Sequence, residues 1–215
     1  LFGSASGSVG GAPVIGGTDA FFYNTQSGSG NLNVYQVGTE GNEPVANGLL
    51  FSNLLWLTGS TDGAYAVSEP DEGDPELTRQ QTDSTAGFLL GFSTTGQIRQ
   101  AFSINDEDDM SSEQLLALAG FDGDLVVAGN TNGDFASQAA TSGQEQAIIA
   151  RVPVAADTST ESAAFRNWRY QLASDDSVFR AVQTYRDDEI VTLTRLGSDW
   201  RLLVFSPEGQ LLTPL

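Results

Sequence analysis

Phe179-Arg180-Ala181-Val182-Gln183-Thr184-Tyr185, Arg186-Asp187-Asp188-Glu189, Ile190-Val191-Thr192-Leu193-Thr194: two short runs rich in β-branched and aromatic residues flank a charged turn, which is the pattern of a hairpin. A Gly197-Ser198-Asp199 turn leads into Trp200-Arg201-Leu202-Leu203-Val204-Phe205, and Pro207-Glu208-Gly209 turns the chain into Gln210-Leu211-Leu212. The last 39 residues therefore read as a four-stranded antiparallel meander.

Parts of this unit recur upstream. Leu89-Leu90-Gly91-Phe92-Ser93-Thr94-Thr95-Gly96-Gln97-Ile98 and Leu202-Leu203-Val204-Phe205-Ser206-Pro207-Glu208-Gly209-Gln210-Leu211 align without a gap at an offset of 113, with six of ten positions identical. A strand end followed by a glycine-containing turn appears as Leu57-Thr58-Gly59-Ser60-Thr61-Asp62-Gly63 and as Ala128-Gly129-Asn130-Thr131-Asn132-Gly133, and Leu1-Phe2-Gly3-Ser4-Ala5-Ser6-Gly7 has the same form. Between these anchors, strands are expected at 49–52, 54–58, 87–93 and 97–103, and again at 115–121, 125–128, 147–152 and 165–172. Near the N-terminus two whole strands, 20–25 and 32–37, follow a strand end at Leu1-Phe2.

Successive four-stranded meanders are the blades of a β-propeller. The expected fold is all-β, with about three and a half antiparallel blades: 1–38 as the C-terminal part of one, then 48–103, 113–172 and 177–215. Helix is expected only as a turn or two, with Ser111 to Leu116 the favoured place because Ser112 can cap it. Near-continuous apolar runs such as Leu125-Val126-Val127-Ala128 suit strands covered on both faces by neighbouring blades. Gly59 and Gly129 are read as small residues that let tapering blades approach each other. Trp56, Trp168 and Trp200 are assigned to packing between blades, with a ligand-stacking face as the alternative.

Composition removes much chemistry. The 215 residues carry 28 acids against nine basic residues, all Arg, for a net charge of −19, and contain no Lys, Cys or His. A Ser-His-Asp triad, a cysteine nucleophile, a zinc finger, a Schiff-base lysine and a Walker-type phosphate loop are thereby excluded. So acidic a chain is repelled by nucleic-acid phosphates, and no apolar run approaches the roughly 20 residues that span a bilayer. The charge is uneven: residues 1–150 carry −17 and residues 151–215 carry −2. Two acidic stretches, Ser68 to Asp83 and Asn105 to Ser112, read as solvated loops.

Leu1-Phe2-Gly3-Ser4-Ala5-Ser6-Gly7-Ser8-Val9-Gly10-Gly11, followed by Gly16-Gly17-Thr18-Asp19-Ala20-Phe21-Phe22, resembles the bacterial β-propeller repeat called the SBBP repeat. Gly59-Ser60-Thr61, Gly129-Asn130-Thr131, Ser93-Thr94-Thr95-Gly96 and Ser206-Pro207-Glu208-Gly209 match parts of the same pattern, whereas its Asp-Ala-Phe element survives only at Asp19-Ala20-Phe21. The resemblance implies an exported, envelope or surface protein of bacteria with a binding or scaffold role. It implies no catalytic residues.

Two other readings rest on carboxylates. An irregular Ca²⁺ loop, as in a Ca²⁺-stabilised adhesion module, could draw on Asp122, Asp124, Asn130, Asn132 and Asp134, although turn-forming Asx residues explain the same positions. A glycosidase needs two carboxylates across the scissile bond, and Ser60-Thr61-Asp62-Gly63 approaches a sialidase box with its Gly one place early. The leading expectation is a non-catalytic binding or structural propeller module without a cofactor. A protein partner, or the rest of a larger propeller, is expected to complete it, because the chain opens inside a second strand and would leave the edge of 20–25 uncovered. The closed alternative has Leu1 to Val14 fold back and complete the first blade with the C-terminal strand Leu211 to Leu215.

Overall fold

A computed structural model of the protein describes residues 1–25, 32–63, 66–67, 77–78, 85–104, 111–133, 135, 144–154, 168–174, 176–185 and 189–212. Among them there is no helix, and none therefore long and apolar enough to cross a membrane. The chain forms four antiparallel sheets in succession. The first is β1 (Phe2–Ala5), β2 (Asp19–Thr25) and β3 (Leu32–Val37). The second is β4 (Val45–Phe51), β5 (Leu54–Thr61), β8 (Ala86–Phe92) and β9 (Ile98–Ile104), with a small ribbon of β6 (Ala66–Val67) and β7 (Leu77–Thr78) between β5 and β8. The third is β10 (Glu113–Phe121), β11 (Asp124–Thr131), β12 (Gln146–Pro153) and β13 (Trp168–Gln171). The fourth is β14 (Ser177–Tyr185), β15 (Glu189–Leu196) and β16 (Asp199–Phe205).

Local chemistry fixes the hairpins. Ser52 and Asn53 join β4 to β5 with φ of 49° and 63°, and Asp122 and Gly123 join β10 to β11 with φ of 48° and 82°. Two consecutive positive φ values make the turn whose twist matches that of the strands. The first strand of each of the last three sheets is bulged near its start, between Val45 and Asn47, Leu115 and Ala117, and Phe179 and Ala181.

The sheets pack face to face in chain order. In the second sheet Trp56 and Leu89 pack with Leu118, Leu125 and Ile148 of the third, while Leu57 and Leu90 on the opposite face pack with Phe22 of the first. In the third sheet Val126, Ala128 and Ile149 turn the other way, onto Phe179, Ile190 and Phe205 of the fourth. Both inner sheets are therefore apolar on both faces, as their unbroken hydrophobic runs require. Each fully buried Leu, Ile or Phe contributes about 1.5–3 kcal/mol relative to exposure, so these faces hold the molecule together.

Several expectations need correction. The segment proposed as a helical turn, Ser111 to Leu116, instead enters β10, where Glu113 pairs with Thr131 of β11; ladder pairing supplies backbone partners that a lone helical turn would lack. Gly59 and Gly129 serve the sheets they sit in: a Cβ at either would strike the bulged first strand beside it, at the Pro44 or the Gln114 carbonyl. The fourth strand of the last meander shrinks to a bridge between Phe205 and Leu211, extended by the Leu212 N–H donating to the Val204 carbonyl (2.8 Å). Leu211 and Leu212 thus join the fourth sheet and not the first, and 213–215 lie outside the described residues. β2 is paired on both sides, by β1 and β3, which leaves β1 at the edge. Of the two acidic stretches, 68–76, 79–83 and 105–110 lie outside the described residues, and Ser111 is buried.

Candidate functional site

Carboxylates are the reactive groups this composition leaves, and among the described residues the buried ones, Asp19, Glu43 and Glu113, are engaged in internal hydrogen bonds. Glu43, just before β4, accepts from the Thr39 N–H (2.9 Å) and from the Thr61 hydroxyl (2.8 Å), with the Thr39 hydroxyl on the same oxygen as Thr61. Seventy residues on, Glu113 accepts from the Thr131 hydroxyl (2.8 Å). The next residues repeat the arrangement. Gly63 N–H donates to Thr61 and Gly133 N–H to Thr131, and the Asp62 and Asn132 side chains accept from the N–H groups of Asn42 and Ser112. The apparent sialidase box is thus a turn locked to its own sheet.

A second fastening uses glutamine. Gln171 accepts from the Phe135 N–H and donates to the Gly133 carbonyl and to Gln146, at 2.7–2.8 Å. Gln36 does the same in the first sheet, accepting from the Val9 N–H (3.0 Å) and donating to the Gly7 carbonyl (3.3 Å) and to Asp19 (2.7 Å). Asp19 is fully buried and also accepts from the N–H groups of Ile15 and Gly16. Neither Glu43, Glu113 nor either glutamine was singled out from the sequence. The signal was available in the ungapped spacing that places Glu43 and Glu113, Gly59 and Gly129, Thr61 and Thr131, and Gly63 and Gly133 each 70 apart. Glu113→Ala is expected to cost about 1–3 kcal/mol by stripping the Thr131 hydroxyl of this acceptor in a buried place, read as a lower midpoint of urea unfolding.

The four described calcium candidates fall at opposite ends of β11. Asp122 and Asp124 sit at the β10–β11 hairpin, where Arg151 donates to Asp124 (2.7 Å) and lies 3.6 Å from Asp122. The same guanidinium rests over the Phe121 ring. Asn130 is buried and the Asn132 side chain accepts from the Ser112 N–H at the far end of β11, about 20 Å and about 26 Å from Asp124 by strand rise. Asp134 lies outside the described residues. Among the described residues no three acidic side chains gather as metal ligands would.

The three tryptophans part company. Trp56 is fully buried, and Trp168 donates from Nε1 to the Pro207 carbonyl (2.7 Å) of the fourth sheet's last turn. Beside it, burial pushes the Tyr170 hydroxyl above the usual phenol value, with its ring edge-on to Phe205. Trp200 departs from the packing expectation: it is 55% exposed on the outer face of the fourth sheet, beside Leu193 (38%) and Leu202 (42%). Leu193 and Leu202 are direct cross-strand partners, and Trp200 follows on the same face of β16. This apolar face is the candidate binding surface.

No family model and no curated protein sequence matches the chain. The likeness to the bacterial propeller repeat rests on the residues quoted for it, and the geometry stands on its own.

Proposed function

We propose that the chain is a run of consecutive β-propeller blades, a non-catalytic binding or structural module of an exported bacterial protein or surface assembly. One observation carries the reading: two inner four-stranded sheets, apolar on both faces, each lie between the sheets that precede and follow them in the chain. That is how blades pack around an axis, and it differs from a two-layer sandwich, whose sheets each keep one wet face.

The turn between the last two strands of a blade supports it. Ser93 Oγ accepts from the N–H groups of Thr95 and Gln97, and Ser206 Oγ from those of Glu208 and Gln210. Gly96 and Gly209 follow with φ of 82° and 79°. Each glycine lies against an aromatic ring on the last strand of the preceding sheet, Tyr35 for Gly96 and Trp168 for Gly209. The ten-residue sequence match is thus a single turn used twice for one purpose, seating a sheet on its predecessor.

A binding role is favoured over hydrolysis because Asp19, Glu43 and Glu113 are spent on internal hydrogen bonds, whereas an apolar face is left at the surface. The test is a panel of aryl glycosides, with release of the aryl group followed over hours. The reading predicts no release above that of heat-denatured protein. Hydrolysis that disappears in Glu43→Gln or Asp62→Asn would replace it with a carboxylate-dependent glycosidase.

A further inference from the structure

Asn-Gly occurs twice in the chain, at Asn47-Gly48 and at Asn132-Gly133, and the two are held differently. The dipeptide is reactive because the glycine nitrogen, unhindered by a side chain, can attack the asparagine carboxamide and close a five-membered ring. Asn132-Gly133 is tied back on both sides of that reaction. The Asn132 side chain accepts from the Ser112 N–H (2.6 Å), and the Gly133 N–H donates to the Thr131 hydroxyl (2.9 Å). Its electrophile and its nucleophile are each engaged with another residue.

At Asn47-Gly48 the two groups are engaged with each other. The Gly48 N–H donates to the Asn47 side-chain oxygen at 2.7 Å, so the carboxamide carbon lies at most one C=O bond, about 1.2 Å, beyond that distance. The strand register leaves this N–H outside the ladder. The Ser60 N–H donates to the Pro44 carbonyl (3.3 Å) at one end of the β4–β5 pair, and the two-residue turn at Ser52-Asn53 makes Phe51–Leu54 a bonded pair at the other. By alternation the bonded residues of β5 are Leu54, Trp56, Thr58 and Ser60, and Leu57, the partner of Gly48, falls between them. The Gly48 N–H accordingly faces away from β5, at the edge of its sheet, where Asn47 is partly exposed to water.

We infer that Asn47 is a site of spontaneous deamidation in the folded protein, while Asn132 is protected. The Gly48 nitrogen loses its proton to hydroxide and bonds to Cγ of Asn47. The Cγ–Nδ2 bond then breaks, and the proton returns through solvent to the leaving nitrogen, which departs as ammonia and leaves a succinimide. Water opens the ring: attack at Cγ gives aspartate, and attack at the backbone carbonyl carbon gives isoaspartate, in which the chain runs through the side chain and is one carbon longer. Either way one water is consumed, one ammonia is released and a neutral amide becomes a carboxylate. The position matters to the fold because Gly48 is seated against Phe2 of the first sheet and against Leu57. The longer backbone of the isoaspartyl form displaces that seat and loosens β1 from the second sheet.

Timed incubation of the full chain at mildly alkaline pH, folded and in urea, with peptide mapping by mass spectrometry, tests this. In the folded protein the Asn47 peptide should convert, with isoaspartate among its products, and the Asn132 peptide at least about tenfold more slowly, since it must wait for local opening. In urea the two should convert at similar rates, which separates the effect of the fold from that of neighbouring residues. Asn47→Gln, whose longer side chain cannot close the five-membered ring, should remove the acidic form that aged protein shows on anion exchange. Asn132 converting as fast as Asn47 in the folded protein overturns the inference. So does a folded-state rate at Asn47 below about a tenth of its rate in urea, because the site would then also depend on opening. An acidic form that accumulates undiminished in Asn47→Gln overturns it as well.

Discussion

Trp56→Ala is expected to lower the unfolding free energy by about 3–5 kcal/mol, the range for a large aromatic removed from a packed core. Trp56 is fully buried between the second and third sheets, stacks on Phe102 with centroids 6.2 Å apart, and donates from Nε1 to the Phe51 carbonyl (3.2 Å). Truncation leaves a cavity lined by rigid strands from two sheets, and these cannot collapse into it without breaking ladder hydrogen bonds. For a chain of this length each kcal/mol moves the melting temperature by about 2–4 °C. Differential scanning calorimetry should therefore show a fall of roughly 6–20 °C. Trp200→Ala, on the exposed face, is the control and should stay within about 0.5 kcal/mol of wild type under dilute conditions.

Gly129→Ala is the second large effect. Gly129 has no neighbour that would tolerate a methyl group: its ideal Cβ would meet the Gln114 carbonyl and the Leu115 Cα, both backbone atoms of the bulged first strand. A flexible side chain could swing aside, but backbone held in a ladder cannot. The expected loss is about 1–3 kcal/mol from overpacking, read as a lower urea midpoint with an unchanged slope. Gly59→Ala should behave alike, because its Cβ would meet the Pro44 carbonyl and the Phe88 ring. A neutral result at both positions would mean that the bulge does not press on the second strand as described.

Strands were legible in the sequence because their signals are local. Val126 and Val127 face opposite neighbours, and a run apolar at every position declares that both faces are covered. The turns were legible for the same reason, since Asp122-Gly123 and Ser206-Pro207-Glu208-Gly209 need particular φ values that few residues supply. The role of Gly59 and Gly129 was misjudged, because whether a glycine makes room for its own sheet or for the next depends on the bulge in the partner strand. Composition does not show a bulge. The misplaced helical turn at Ser111–Leu116 has a similar origin: a capping serine and a short polar stretch look helical locally, and long-range pairing of β10 with β11 overrides them. Buried Glu43 and Glu113 were hidden among the 28 acids, where only the 70-residue spacing marks them out. The exposed face of Trp200 was invisible in principle, since the residues of β16 alternate in the same way whether or not another sheet lies against them.

The central claim is that the four sheets lie face to face in chain order, and proton–proton Overhauser effects on the folded protein test it most directly. Three of the glycines that sit directly against aromatic rings of an adjoining sheet serve as probes: Gly48 against Phe2, Gly120 against Phe51, and Gly209 against Trp168. They report in turn on the first and second, the second and third, and the third and fourth sheets. Strong cross-peaks from each glycine α-proton to its ring are predicted, all three in one sample. Intact strand-to-strand cross-peaks within the sheets, with all three glycine-to-ring peaks missing, would contradict the stacked arrangement.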